Sequence, residues 1–201
     1  MNHNQLETGA VNAKKIAFIN ALAWAAINIF ILLATYYAMP NLLGNMAFGI
    51  VSLLISLGLA IYFTLDLRKK IGGYWTFREA LSNIFIMFIV QHLVYTLFVL
   101  AFGKFIEPAY ETHMREVTLN ASVEMAETFG GGNQEMIDDM IAEAEKNLDK
   151  QFSPTISEFL LSLGIAAIMY FVGALIFGAI FKRERPMFAT VSEDDELDEE
   201  A

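Results

Sequence analysis

Cysteine is absent from the 201 residues, which excludes disulfides, thiolate nucleophiles and metal or cluster sites built on thiolates. Basic residues are few beside acidic ones, 13 Lys and Arg against 23 Asp and Glu. No segment gathers them into the basic face that nucleic acid requires, so that partner class is set aside. There is also no Gly-x-Ser-x-Gly elbow, no phosphate-binding glycine loop and no Ser-His-Asp-like arrangement. The sequence therefore assigns no catalytic residue and no cofactor, and the chain reads as non-enzymatic.

What it has in excess is apolar residues, 56% of the chain, with a mean hydropathy of +0.46. Soluble domains of ordinary composition are about 45–50% apolar, in short periodic runs. Here the apolar residues lie in four blocks, each long enough to cross a bilayer at about 20 residues per span. What is left suffices for one small extramembrane element and two tails, not for a separate catalytic domain.

The predicted order is a polar N-terminal arm (1–13), transmembrane helices 1–3 (14–103), an acidic helical hairpin (104–155), transmembrane helix 4 (156–185) and a disordered acidic tail (186–201). The fold class is all-α. The first block, Ile16 to Met39, is too long for a signal-peptide core and is not closed by a small-residue cleavage motif, so it reads as a retained helix. Thr76-Phe77-Arg78-Glu79 has the spacing of a capping box and predicts that the third helix starts near Phe77 and runs to about Phe102. Ser153-Pro154 predicts a Ser N-cap with Pro at the first helical position of the last span.

Between the third and fourth spans, Tyr110, Met114, Val117, Ala121, Met125 and Phe129 recur at three- and four-residue steps, the mark of one apolar helix stripe. Gly130 to Asn133 should end that helix. Ile137, Ile141, Ala144, Leu148 and Phe152 form the stripe of a second one, with Asp138, Asp139, Glu143 and Glu145 on its wet side. Met114, Val117, Met125, Phe129, Ile141 and Leu148 are the candidate interaction surface, because such stripes need a burial partner. That partner is each other, a partner protein, or a second copy in a homo-oligomer. Strong acidity argues against lying flat on anionic lipid.

Positive charge sets the expected orientation. Lys14, Lys15, Arg68, Lys69, Lys70, Arg78, Lys182, Arg183 and Arg185 fall on one side of a four-pass topology, and Lys104, Arg115, Lys146 and Lys150 on the other. The bias predicts a multi-pass protein of the cell membrane, a bacterial inner membrane, with both termini cytoplasmic and the hairpin outside the cytoplasm.

The sequence of parts resembles domain-of-unknown-function family 4199, small four-helix integral membrane proteins typical of Bacteroidota. The resemblance rests on Ile71-Gly72-Gly73-Tyr74-Trp75-Thr76-Phe77-Arg78-Glu79-Ala80, on Phe105-Ile106-Glu107-Pro108-Ala109-Tyr110, and on Gly173 to Lys182 at the last helix end. It implies the topology, and no activity comes with it.

Within the spans, the most polar point is Gln91-His92 in the third helix, with Tyr95 one turn on. Polar and ionisable groups at that depth are costly and default to a functional reading. Together with Asn28 they form the candidate intramembrane site of a small transporter or channel-like protein. The competing reading is structural, with Gln91 and His92 hydrogen-bonding to Asn28, Tyr170 or backbone carbonyls. Ser52, Ser56 and Ala60, and Ala174 with Gly178, are small-residue faces for close helix packing, within the monomer or between copies. Glu107, Glu111, His113 and Glu116 do not make a metal site on spacing: two residues apart at 3.6 per turn, His113 points about 160° away from Glu111. Glu111 is set instead to pair with Arg115 at i,i+4.

Overall fold

The computed structural model describes residues 3–43, 45–129 and 134–184, with the side chains of 3–11, Asn41, Met46, Phe129 and Met136 outside that description. Among the described residues, six α-helices follow in order: α1 (His3–Ala38), α2 (Met46–Lys70), α3 (Phe77–Ala101), α4 (Ala109–Phe129), α5 (Gln134–Phe152) and α6 (Ile156–Phe181). Among the described residues, four stretches are long and apolar enough to cross a membrane: Asn12–Ala38, Ala47–Lys70, Phe77–Ile106 and Ile156–Phe181. The acidic tail and Gly130 to Asn133 lie outside the described residues.

Helix ends follow from local chemistry, with three departures from the expected boundaries. The Thr76–Glu79 capping box is present: the Thr76 hydroxyl accepts from the Glu79 N–H, and the Glu79 carboxylate accepts from the Thr76 N–H at 2.8 Å. A second box opens α6, where Thr155 and Glu158 do the same. The N-cap there is Thr155 and not Ser153, because Thr-x-x-Glu satisfies two orphan N–H groups where Ser-Pro satisfies one. The arm before residue 14 continues α1 back to His3; no proline interrupts the stretch. Beyond Ala101, Phe102–Ile106 forms a π-turn closed by the Glu107 N–H donating to the Phe102 carbonyl at 2.8 Å.

The central helix is α3, which packs along α1 on one side and α6 on the other. Close approach to α1 is allowed by Ala13, Ala17, Ala21 and Ala25, one residue per turn and all buried. On α6, Ala174 is fully buried, and a Cβ added to Gly178 would sit 3.4 Å from the Leu81 backbone nitrogen. The α6 small-residue face is thus used within the monomer. The opposite face of α6, from Ile156 to Ile180, is exposed leucine, isoleucine and methionine suited to lipid.

The chain has a basic end and an acidic end. At the basic end α2 turns into α3 through Gly72 (φ +99°) and Gly73 (φ +82°), a left-handed conformation that side chains resist. The turn is tied to the end of α6: Trp75 and Arg183 exchange backbone hydrogen bonds, and the Trp75 indole N–H donates to the Phe181 carbonyl at 2.8 Å. Arg68 donates to the same carbonyl at 3.3 Å. These donors satisfy a helix end that would otherwise leave carbonyls unpaired. Above them lies the main core, where Trp24 stacks on Phe63 (5.9 Å between ring centroids) and meets Phe88 edge-on (5.6 Å).

Candidate functional site

The four predicted site residues do not form one cluster. His92 turns toward α6, where its Nδ1 lies 3.2 Å from the Tyr170 hydroxyl and the rings are 5.1 Å apart. This is the interhelical hydrogen bond of the structural reading. Gln91 is buried in α3 at 7% exposure, apart from that bond. Asn28 and Tyr95 face a different space, a crevice of 640 Å³ between α1, α2 and α3.

That crevice exists because α2 leaves the bundle. Ala60, Phe63, Thr64 and Leu67 are buried against α1, spaced at helical period. In contrast, Leu53 to Gly58 are exposed at every position. Asn28, Thr35, Ser52, Ser56, Tyr95 and Thr96 supply its polar lining. Its roof is the base of the hairpin: Tyr110 and Met114 of α4 and Gln151 of α5. Among the described residues, no charged side chain lines it.

The hairpin is fixed to the bundle by a second core of Val99, Phe102, Tyr110, Leu148 and Phe152. Tyr110 sits edge-on to Phe102 (5.2 Å), Tyr36 (5.3 Å) and Phe152 (5.9 Å). Gly103 makes room for this ring, since a Cβ there would stand 3.3 Å from it. Burial, reinforced by Tyr95 and Tyr36 nearby, raises the Tyr110 phenol above its ordinary range and holds it neutral. Across the hairpin, Arg115 bonds Glu111 at 3.0 Å and Asp149 at 2.8 Å, and the hydrogen bond to Asp149 leads in raising the guanidinium further.

These contacts redirect the candidate interaction surface. Leu148 is 3% exposed and belongs to the second core, with Met114 packed on it. Val117 and Ile141 are half-buried, and Met125, at 42%, is open to solvent. The side chain of Phe129 is outside the described residues. Most of the stripe faces inward because α4, α5 and the bundle bury one another's apolar sides. The acids at Glu116, Glu124, Asp138, Asp139, Glu143 and Glu145 are exposed.

Glu107, Glu111, His113 and Glu116 also go separate ways. Glu107 accepts from the Tyr37 hydroxyl at 3.4 Å, Glu111 takes Arg115, and His113 lies against the Tyr36 ring at 5.9 Å. Among the described residues no three such side chains converge on a metal-sized space.

One polar cluster escaped the sequence reading. Asn20, 2% exposed, donates to Asp66 at 2.8 Å and accepts from Lys70 at 3.0 Å, while Lys70 and Asp66 pair at 2.6 Å. The available signal was a lone Asn in the apolar run of α1, combined with Asp and Lys at i,i+4 on α2.

The bundle and its roofed crevice define a four-span helical membrane protein with an extramembrane helical hairpin. The chain belongs to the family described as "Protein of unknown function (DUF4199)", whose sequence profile matches residues 15–183. Comparison with curated proteins and with solved structures returned no match.

Proposed function

We propose that this is a non-enzymatic protein of the bacterial inner membrane whose acidic hairpin, outside the cytoplasm, mediates interaction or assembly. The observation that carries this reading is the attachment of the hairpin. The Tyr110–Phe102–Phe152 core and the Arg115–Asp149 pair hold its base, while the distal turns extend away carrying exposed acids. Ordering two helices on a bundle costs conformational entropy, and a loop needed only to connect two spans has no use for it. The nine-to-four bias of basic residues supports an outward hairpin and cytoplasmic termini.

The test is a deletion of residues 112–150 joined by a short linker, scored by knockout rescue and by crosslinking with mass spectrometry in native membranes. The expected result is a reproducible partner, or a homo-oligomeric contact, that vanishes with the hairpin. Full rescue by the deletion would overturn the reading.

A second reading, a small carrier or channel-like protein, draws on Asn28 and Tyr95 lining the crevice. It requires Asn28→Leu or Tyr95→Phe to abolish the phenotype while leaving the protein folded.

A further inference from the structure

The crevice between α1, α2 and α3 has more polar groups than its own walls use. Among the described residues, the side chains of Asn28, Ser52, Ser56, Tyr95 and Thr96 hydrogen-bond to no protein group. Thr35 in the same lining, and Ser122, Thr128 and Ser162 elsewhere in the chain, each donate to a backbone carbonyl of their own helix, at 2.8–2.9 Å. The five crevice groups therefore lack even that local partner, and in hydrocarbon an unpaired polar group costs several kcal/mol.

Depth narrows what can satisfy them. Asn28 lies about ten residues before the end of α1, about 15 Å at 1.5 Å per residue, which is half of a hydrocarbon core of about 30 Å. Water reaching that level from the acidic end meets the Tyr110 roof, which is 2% exposed. The side toward lipid is open, because α2 from Leu53 to Gly58 touches nothing that buries it. The volume of 640 Å³ falls within the usual range for small-molecule sites of about 300–1,000 Å³. The lining carries hydroxyl and amide groups without a charge, so it has nothing to balance a phosphate, a carboxylate or an ammonium.

We propose that this crevice binds an uncharged, lipid-soluble molecule bearing a hydroxyl or carbonyl oxygen, which enters sideways from the bilayer between α1 and α2. Asn28, Tyr95 and Thr96 hydrogen-bond to its oxygen at mid-depth, and Ile31, Leu32 and Ile55 hold its hydrocarbon part. This site goes beyond the assembly reading and does not depend on it.

The experiment uses the full chain in nanodiscs of zwitterionic lipid and a diazirine-bearing octanol, with the matching diazirine octane lacking the hydroxyl as a second probe. Adducts are mapped by mass spectrometry. The expected result is at least fivefold more octanol label on segments 28–35, 52–56 and 95–100 than on the lipid face of α6, residues 160–169. Excess unlabelled octanol should remove that difference, and the octane probe should not show it. Ser52→Phe, which fills the crevice, should lower crevice labelling at least fivefold. Asn28→Leu gives an independent reading if Ser52→Phe does not assemble, and folding of both is followed by the fluorescence of Trp24 and Trp75. Equal labelling of the crevice and α6 would overturn the proposal. So would labelling indifferent to the hydroxyl, or crosslinked dimers through the crevice residues in place of probe adducts.

Discussion

The two ends of the bundle hold the same four spans in different ways. At the basic end α1, α2, α6 and the turn before α3 are tied to one another by side chains that reach a backbone carbonyl or a buried polar partner: Arg68 and Trp75 to Phe181, and Asn20 to Asp66 and Lys70. At the acidic end α2 is bare, the joint is made of aromatic rings, and polar groups face an open space. Tight packing has a cost of its own, since Trp24 Nε1 and Thr64 Oγ1 are sealed in without a partner among the described residues. The contrast teaches that hydropathy fixes where helices cross and says little about how firmly they hold one another. Polar residues at a few depths decide that, because lipid offers no competing hydrophobic drive between helices.

The largest expected effect comes from emptying the basic-end core. Trp24→Ala removes the ring stacked on Phe63 and edge-on to Phe88 and should cost about 3–5 kcal/mol in denaturant titration of the reconstituted protein. Gly178→Phe should cost about 1–3 kcal/mol by forcing α6 away from Leu81, whereas Gly178→Ala stays close to the parent. Asp66→Ala removes the carboxylate that Lys70 pairs with and that Asn20 donates to, leaving those two bonded to each other, and should cost about 1–2 kcal/mol. At the acidic end Arg115→Met should cost about 0.5 kcal/mol and less in high salt, since Asp149 is 70% exposed. Smallest of all, Ser56→Leu should stay within about 0.5 kcal/mol of the parent, because that stretch of α2 supports no neighbour. A large loss at Ser56 and a small one at Trp24 would invert the comparison.

The Tyr110 joint adds a pH test. Its neutral form is favoured on folding, so its contribution is complete below pH 10 and lost as pH rises through its raised folded-state value. Hairpin attachment, read by protease sensitivity of residues 109–152, should hold steady from pH 6 to 9 and weaken only in strong alkali. Tyr110→Phe should remove the alkaline step.

Much of this was legible in the chain. Four long apolar blocks, the Thr76-x-x-Glu79 box and the paired stripes of α4 and α5 are local patterns, and local patterns survive folding. The His92–Tyr170 bond follows from the same logic, since a polar residue inside a span seeks a partner on a neighbouring helix. What was not legible depends on which face of one helix meets another. His92 and Tyr95 are only about 60° apart around α3, yet His92 meets Tyr170 of α6 while Tyr95, one turn on, lines the crevice. The Asn20–Asp66 bond joins residues 46 positions apart, and the π-turn at Phe102 has no local sequence mark. Likewise the hairpin stripe announced burial but not its partner, which proved to be mainly the chain itself.

The open crevice is tested most directly along α2. The chain has no cysteine, so single cysteines at positions 50–68 can carry a nitroxide without background, and oxygen collision in nanodiscs reports lipid exposure at each. High exposure is expected at all six positions from 53 to 58, followed by dips at 60, 63, 64 and 67. A regular dip on every turn from 50 onward would mean that α2 packs along its whole length, and would contradict an open crevice.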